Sequence, residues 1–432
     1  MLLCGLLGCV LGLTACRTRA PAAATVDDLA WAYVGLTLQL GERDADSLDF
    51  YAGSRPEAEK LRRNPQTFDG LHRSALALRD QVSALNEVSA DGAARKVLLL
   101  GQIDAMVLRT EQLMGKDRSF DEESRLLFGV VAPEDRDAEA RRKIRAQIAV
   151  LLGTPAHPAA NPAEAYMRFD AQFIVPPDRV PAVMDLALQQ CRAITLEHMM
   201  LPPREHVDVE YVGHKPWAAF SRYLGNAQSL IQVNMDYPIT VDRLLELACH
   251  EGYPGHHVLN TTRDVALAKG QHLAEFLVQP TFSPQSYVSE AAASYAPSLA
   301  IGDTERLRIE RDILAPAAGL KALDFSRYLE LERLVAGLHT AEPSIARDYL
   351  DGRLEFVRAV DALERETLMT HGETTLLYLN EYRSYMLAYT VGHDSVQALV
   401  EAGQPSEAER WRRYVALMTR PVVSLSTAAP LP

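Results

Sequence analysis

From residue 26 to about residue 201 apolar residues recur at three- and four-residue steps. That is the period of a helix with one buried face. The stretch Ala94 to Leu108, ARKVLLLGQIDAMVL, shows it most clearly. Asp135 and Arg136 precede a charged helix that carries Ile144 and Ile148 toward Leu152, and Gly153, Thr154, Pro155 and Pro158 end it. A further helix is predicted over Val180 to His198. Then the period changes. In His206 to Val212, HVDVEYV, Val207, Val209 and Tyr211 alternate with polar residues as in a strand. Ser229 to Val233 is a second candidate strand, and the intervening GHKPWAAFSRYLGNAQ is rich in turn formers and aromatics. Together they predict a small antiparallel sheet, whose edge could hold an extended peptide.

The next helix starts at Pro238-Ile239-Thr240, with Thr240 as N-cap, and carries Leu244, Leu245, Leu247 and Ala248 into His250. Ser286 to Ala296 reads as helical, helices dominate from Leu307 to Arg358, and a last block runs from Thr374 through Tyr389 past Leu399. The expected class is mainly α: one helical domain over residues 26–420, with 26–200 and 201–420 as its candidate lobes, and a tail at 421–432.

The N-terminus, MLLCGLLGCVLGLTACRTRA, is a short apolar run that stops at a cysteine and turns at once to arginines. It is too short to span a bilayer and fits a signal peptide. Leu13-Thr14-Ala15-Cys16 resembles a bacterial lipobox, although no Lys or Arg precedes the run. That resemblance implies a signal peptide over 1–15, a lipid on Cys16 and a tether over 16–25. The expected location is then outside the cytoplasm, on a membrane facing the periplasm or cell surface. Of five cysteines, Cys191 and Cys249 remain, and sequence does not say whether they pair. The chain has 432 residues, 48% of them apolar, and a net charge of −13. The composition is globular, and the charge argues against nucleic acid as a partner.

Residues 250–257 read HEGYPGHH. Zinc-protease helices place two histidine ligands one turn apart, as H-E-x-x-H. Here Pro254 occupies the place of the second ligand. On an unbroken helix His257 would face the same way as His250 but lie about 10.5 Å along the axis, and His256 would face aside. Zinc, with donor bonds of about 2.0–2.1 Å, could join neither pair. Pro254, however, would clash with the carbonyl of residue 250 in a regular helix, and Gly252 and Gly255 flank it. A bulge of two residues there would bring His256 beside His250. His256 is therefore the favoured second ligand, with His257 as the alternative. Glu251 keeps the position of the general base. The best downstream candidate for a third ligand is Glu290, set among small residues in YVSEAAASYA. Isolated histidines and helical glutamates are mostly structural or exposed, so the density of the constellation carries the reading.

These residues resemble the mostly bacterial family known as domain of unknown function 885, distant relatives of carboxypeptidase Taq and other helical zinc peptidases. Its hallmark is His-Glu-x-x-Pro-Gly-His-His. Its Ser-Glu-Gly-Trp-Ala-Leu-Tyr-like motif falls on SEAAASY, residues 289–295, aligning Glu290 and Tyr295, with Ala291-Ala292 in place of Gly-Trp. A third landmark falls on RSYMLAY, residues 383–389, of which Tyr389 and the following Gly392 survive. The resemblance implies a zincin-like fold with the zinc helix in a deep groove, and it strengthens Glu290 as a ligand. Arg383 could grip a substrate carboxylate and Tyr389 could polarise a scissile carbonyl; an ion-paired arginine and a packed aromatic are the plainer readings. Tyr237, Tyr253 and His214 are weaker groove candidates.

The expectation is a peptidase holding one Zn2+ through His250, His256 and Glu290, with Glu251 activating water against short peptides. The rivals are an amidohydrolase acting on a non-peptide amide and a non-catalytic surface lipoprotein that kept the fold.

Overall fold

The structure is a computed structural model and describes residues 24–86, 89–154, 162–422 and 425. The expected signal segment, Cys16 and most of the tether lie outside the described residues, as does most of the 421–432 tail.

Among the described residues the chain is mainly helical with two small sheets. Among the described residues no helix is long and apolar enough to cross a membrane. The helices Val26–Arg43, Phe68–Ala84 and Ala90–Leu113 enclose a first core around Tyr33, Leu38, Leu71 and Leu99. Thr25 starts the first of them with a reciprocal capping box to Asp28. A second, larger core takes in residues from Ala105 to Leu425 and therefore spans both sides of position 200. Each large apolar side chain buried there contributes roughly 1.5–3 kcal/mol. The predicted helix Val180–His198 is present with those bounds and lies against the turn that carries His250.

The sheet differs from expectation. Strands β1 (Phe50–Tyr51) and β5 (Val278–Gln279) form an antiparallel pair. Strands β2 (His206–Val212), β3 (Ala219–Gly225) and β4 (Gln228–Asn234) form a second sheet in the order β2-β4-β3. It is mixed, not antiparallel: β3 pairs antiparallel with β4, and β2 pairs parallel with it. The segment read as turn-rich holds a strand because its turn formers sit at its ends. Ser221, Tyr223 and Gly225 alternate inward, and Asn226 and Ala227, both at positive φ, close a hairpin whose twist suits the strands. With β3 and β4 committed to that hairpin, β2 takes the far side of β4, leaving β3 at an edge.

Two further details differ. Thr240 occupies the N-cap position of the helix Val241–Leu247, but its side chain makes no capping hydrogen bond. The last helical block is interrupted: Gly372–Tyr382 ends at Arg383, which has a φ of 49°, and a tight 3-10 segment Arg383–Ala388 precedes Val391–Glu401. The cause lies in Glu123, buried at 1% exposure, which accepts from the Ser384 N–H and hydroxyl and from Arg383 Nε. Satisfying that carboxylate takes the backbone out of the helix. Cys191 and Cys249 pair as a disulfide, Cα atoms 5.5 Å apart, tying the Val180–His198 helix to the His250 turn.

The helix leading into His250 is backed by buried carboxyls. Tyr328 donates to Asp242 at 2.5 Å and lies 3.1 Å from Asp170. Glu310 is 1% exposed and neither of its oxygens has a hydrogen-bond partner; Arg306 stands 3.7 Å away. Burial pushes the Glu310 carboxyl up to about 8, with Arg306 opposing and Asp242 and Glu246 adding to the rise. A carboxyl held above its ordinary 4.5 keeps its proton in the fold after the unfolded chain has lost it. Stability should therefore fall as pH rises from about 4.5 through about 8. Glu310→Gln, neutral at every pH, should flatten that fall and gain about 2 kcal/mol at pH 8.5. Urea unfolding of both proteins from pH 5 to 9 measures it, and parallel curves would refute the assignment.

Candidate metal centre

The helix Val241–Leu247 does not run on through the motif. Residues Ala248–Gly252 widen into a π turn, in which the Tyr253 N–H donates to the Ala248 carbonyl. Tyr253-Pro254 is a cis peptide, and a new helix, His256–Arg263, begins directly after Gly255. The break is thus larger than a two-residue bulge. The chain turns back tightly enough that the Gly255 N–H donates to the Cys249 carbonyl at 3.0 Å. A Cβ on Gly255 would lie 1.8 Å from the His250 carbonyl oxygen, so only glycine fits. This reversal sets the His250 and His256 rings edge to face, their centroids 4.9 Å apart.

Glu290 comes from the helix Pro284–Ala300, whose Ala291 and Ala292 are fully buried. That helix packs against the π turn. On another side Gly392 is constrained, though less than Gly255, since a Cβ there would meet Ala291 Cβ at 2.8 Å. Glu290 Oε1 lies 3.0 Å from His250 Nε2, and Oε2 lies 3.3 Å from His256 Nε2. One donor atom from each of the three residues falls within 4.8 Å of the others. Ligands on a tetrahedral zinc stand about 3.3 Å apart, given bonds of about 2.0–2.1 Å. Glu290 Oε1 is buried and, off the hydrogen-bond direction of His250, has no hydrogen bond. Two imidazoles and a carboxylate with a free lone pair fit zinc.

The charges around the three residues are interdependent. Burial alone would depress the His256 imidazole, but the Glu290 carboxylate, with Glu251 and Asp49, outweighs it and pushes it up to about 9. Burial would raise Glu290, yet His256 and His250 hold it far below the ordinary carboxylate range. Glu251, 4% exposed, is shifted up by burial against the opposing charges of His250 and His256. Its Oε1 is 3.9 Å from His250 Nε2, and its Oε2 is buried with no partner.

His257 goes elsewhere. It is fully buried, with Nδ1 2.8 Å from Ser229 Oγ and Nε2 3.0 Å from Glu205. Glu205 also accepts from Tyr253 at 2.6 Å and pairs with Arg192, and these partners overcome burial to bring it down to about 2. His257 and Tyr253 therefore anchor the loop from behind.

The three donors open into a cavity of about 400 Å³, bounded on one side by the edge strand β3 through Phe220, Ser221 and Arg222. Tyr389 lines it, 42% exposed, its ring stacked on His250 at 6.3 Å and its hydroxyl 3.3 Å from that of Tyr378. Arg383 is not among the lining residues; its guanidinium is spent on Glu123 at 2.6 Å. Tyr295 is buried and donates to Glu401, Tyr237 packs on His371, and the His214 N–H binds Asp236; none of them lines the cavity. Sequence reasoning missed Tyr385, whose hydroxyl lies 3.2 Å from Glu290 and 2.9 Å from Ser286. It also missed Asp49, which lines the cavity and is raised by burial to about 6. Tyr385 stands one turn before Tyr389 in RSYMLAY, a spacing that could have flagged it; nothing around Asp49 could.

The close approach at Gly255 should make Gly255→Ala cost about 3 kcal/mol or more, because the clash is with backbone. Gly252→Ala, whose Cβ clashes with a side-chain tip alone, Leu188 at 2.6 Å, should cost about 1 kcal/mol. Equal losses in denaturant unfolding would contradict this reading of the loop.

No family model and no curated protein matches the chain. Among solved structures it is similar to a "putative lipoprotein" from Colwellia psychrerythraea, with 13% identity, 92% of this chain and 74% of that chain covered, and a TM-score of 0.49. It is also similar to a "putative lipoprotein of unknown function" from Shewanella oneidensis, with 13% identity, 92% of this chain and 73% of that chain covered, and a TM-score of 0.46.

Proposed function

We propose that the chain is a zinc-dependent metallopeptidase of mostly helical, zincin-like fold that cleaves short peptides. The observation that carries this reading is the convergence of His250, His256 and Glu290 within 4.8 Å, beside the buried, unpartnered carboxylate oxygen of Glu251. His250, His256 and Glu290 would hold the ion, and zinc when bound polarises the scissile carbonyl and acidifies water. Glu251 takes the proton of the attacking water and passes it to the leaving amine. Its dry setting, which raises its proton affinity, suits a base that must hold that proton in transit. Tyr385 fixes the Glu290 carboxylate by its hydroxyl. Tyr389, beside His250 and open to the cavity, is placed to donate to the carbonyl oxygen of the substrate. The edge strand β3 offers backbone groups for an extended peptide. The cavity volume suits a small ligand and not a folded domain.

Export is part of the proposal. The Cys191–Cys249 disulfide supports an oxidising compartment. A lipid on Cys16 rests on the sequence alone.

Glu251→Gln should retain one zinc per chain and lose activity on a peptide library by roughly 10²–10⁴-fold. Glu290→Ala should lose the metal as well. Absence of zinc from the gently purified wild type, together with wild-type behaviour of Glu251→Gln, would sink the proposal. Cys16→Ser should move the protein from the membrane to the soluble fraction, and no redistribution would end the lipid assignment.

A further inference from the structure

Two arginines are buried among the described residues. Arg141 is neutralised by Asp135 at 2.6 Å. Arg263, 6% exposed, has no carboxylate partner among the described residues. Its Nη1 donates to the Ser289 hydroxyl, its Nε is buried with no partner, and its Nη2 makes no hydrogen bond. The titratable group that bears on it is Tyr414, and burial pushes that phenol above its ordinary range, so it stays neutral. Burial brings the guanidinium down only to about 10, which leaves it a cation at neutral pH. A buried charge without a counter-charge is costly, and a buried N–H without an acceptor adds to that cost.

Its location gives this cation a use. His256, Asn260 and Arg263 recur at helical spacing on one face of their helix, turned to the helix that carries Glu290. Asn260 and Ser289 line the cavity; Arg263 does not line it but donates to Ser289. Arg383, the arginine that sequence offered for gripping a carboxylate, is already occupied by Glu123.

We propose that Arg263, set against the cavity-lining Ser289, forms with Ser289 and Asn260 an anion subsite adjoining the cavity that takes one compact negative charge. Two sources supply that chemistry: the free C-terminal carboxylate of a peptide, or a halide from solvent. The carboxylate source rests on the peptidase reading; the halide source does not.

The test uses the full chain, metal-loaded. Thermal unfolding is compared in sodium chloride and in sodium isethionate, a bulkier anion, at equal ionic strength. A halide in the subsite should raise the wild-type midpoint by about 2 °C in chloride and leave Arg263→Met unmoved. Separately, peptides with free and amidated C-termini are compared. A substrate carboxylate in the subsite should give Arg263→Met about a tenfold rise in KM for the free acid, with none for the amide. Arg263→Lys, which keeps the charge, should retain part of either effect, and it serves if the Met variant does not fold. No chloride effect on the wild type, combined with equal KM for acid and amide, overturns the subsite. If no peptide is cleaved, the peptidase reading fails and the chloride melt alone decides the subsite: no rise in chloride then overturns it.

Discussion

The site depends on one close backbone approach. The chain must reverse between His250 and His256 within a space that leaves 1.8 Å between a Cβ at position 255 and the His250 carbonyl oxygen. Glycine removes the obstacle, and the π turn before it aims the His250 side chain inward while releasing the next residues from the helix. The new helix can then start at His256 and point its first residue back at the old one. A regular helix would have separated the two imidazoles by more than any metal spans.

That reversal would be fragile alone, and the surroundings brace it. The disulfide ties Cys249 to a long helix on one side. The Glu205 network holds Tyr253 and His257 on another. Tyr414 reaches the Pro254 carbonyl at 3.3 Å and the Ala292 carbonyl at 3.0 Å, stitching the loop to the helix that bears Glu290. The close approach of Ala291 and Gly392 sets the depth at which that helix sits against the one that carries Gly392. The distance from Glu290 to both histidines is therefore a consequence of packing on three sides, not of the motif alone.

Legibility in the sequence followed the range of the interaction. Helices with a clear apolar face, such as Val180–His198, were readable to the residue, because their pattern answers to burial along one element. The break at Pro254 was readable because it follows from covalent geometry. The sheet was read only in part. The length of β3 depends on pairing with β4, and the parallel placement of β2 depends on β4 having been claimed already by the hairpin. The interruption at Arg383 was not readable, because its cause is Glu123, 260 residues earlier in the chain. Asp49 enters the cavity for the same kind of reason, through a two-residue strand that pairs with β5.

The adjacent histidines show the same limit at its sharpest. Successive residues on a helix point about 100° apart, so His256 and His257 cannot serve one site together. Sequence favoured His256 on compactness and kept His257 open. What separates them in the fold is that each meets its own carboxylate: Glu290 for His256, Glu205 for His257. His257 is closed in by Ser229 and Glu205 and has no exposed face. His256 shares its carboxylate with His250 and borders the cavity. The two carboxylates are therefore not interchangeable. Glu205, already saturated by Arg192 and Tyr253, neutralises and anchors, whereas Glu290, with one oxygen left without a hydrogen bond, is the one free to coordinate.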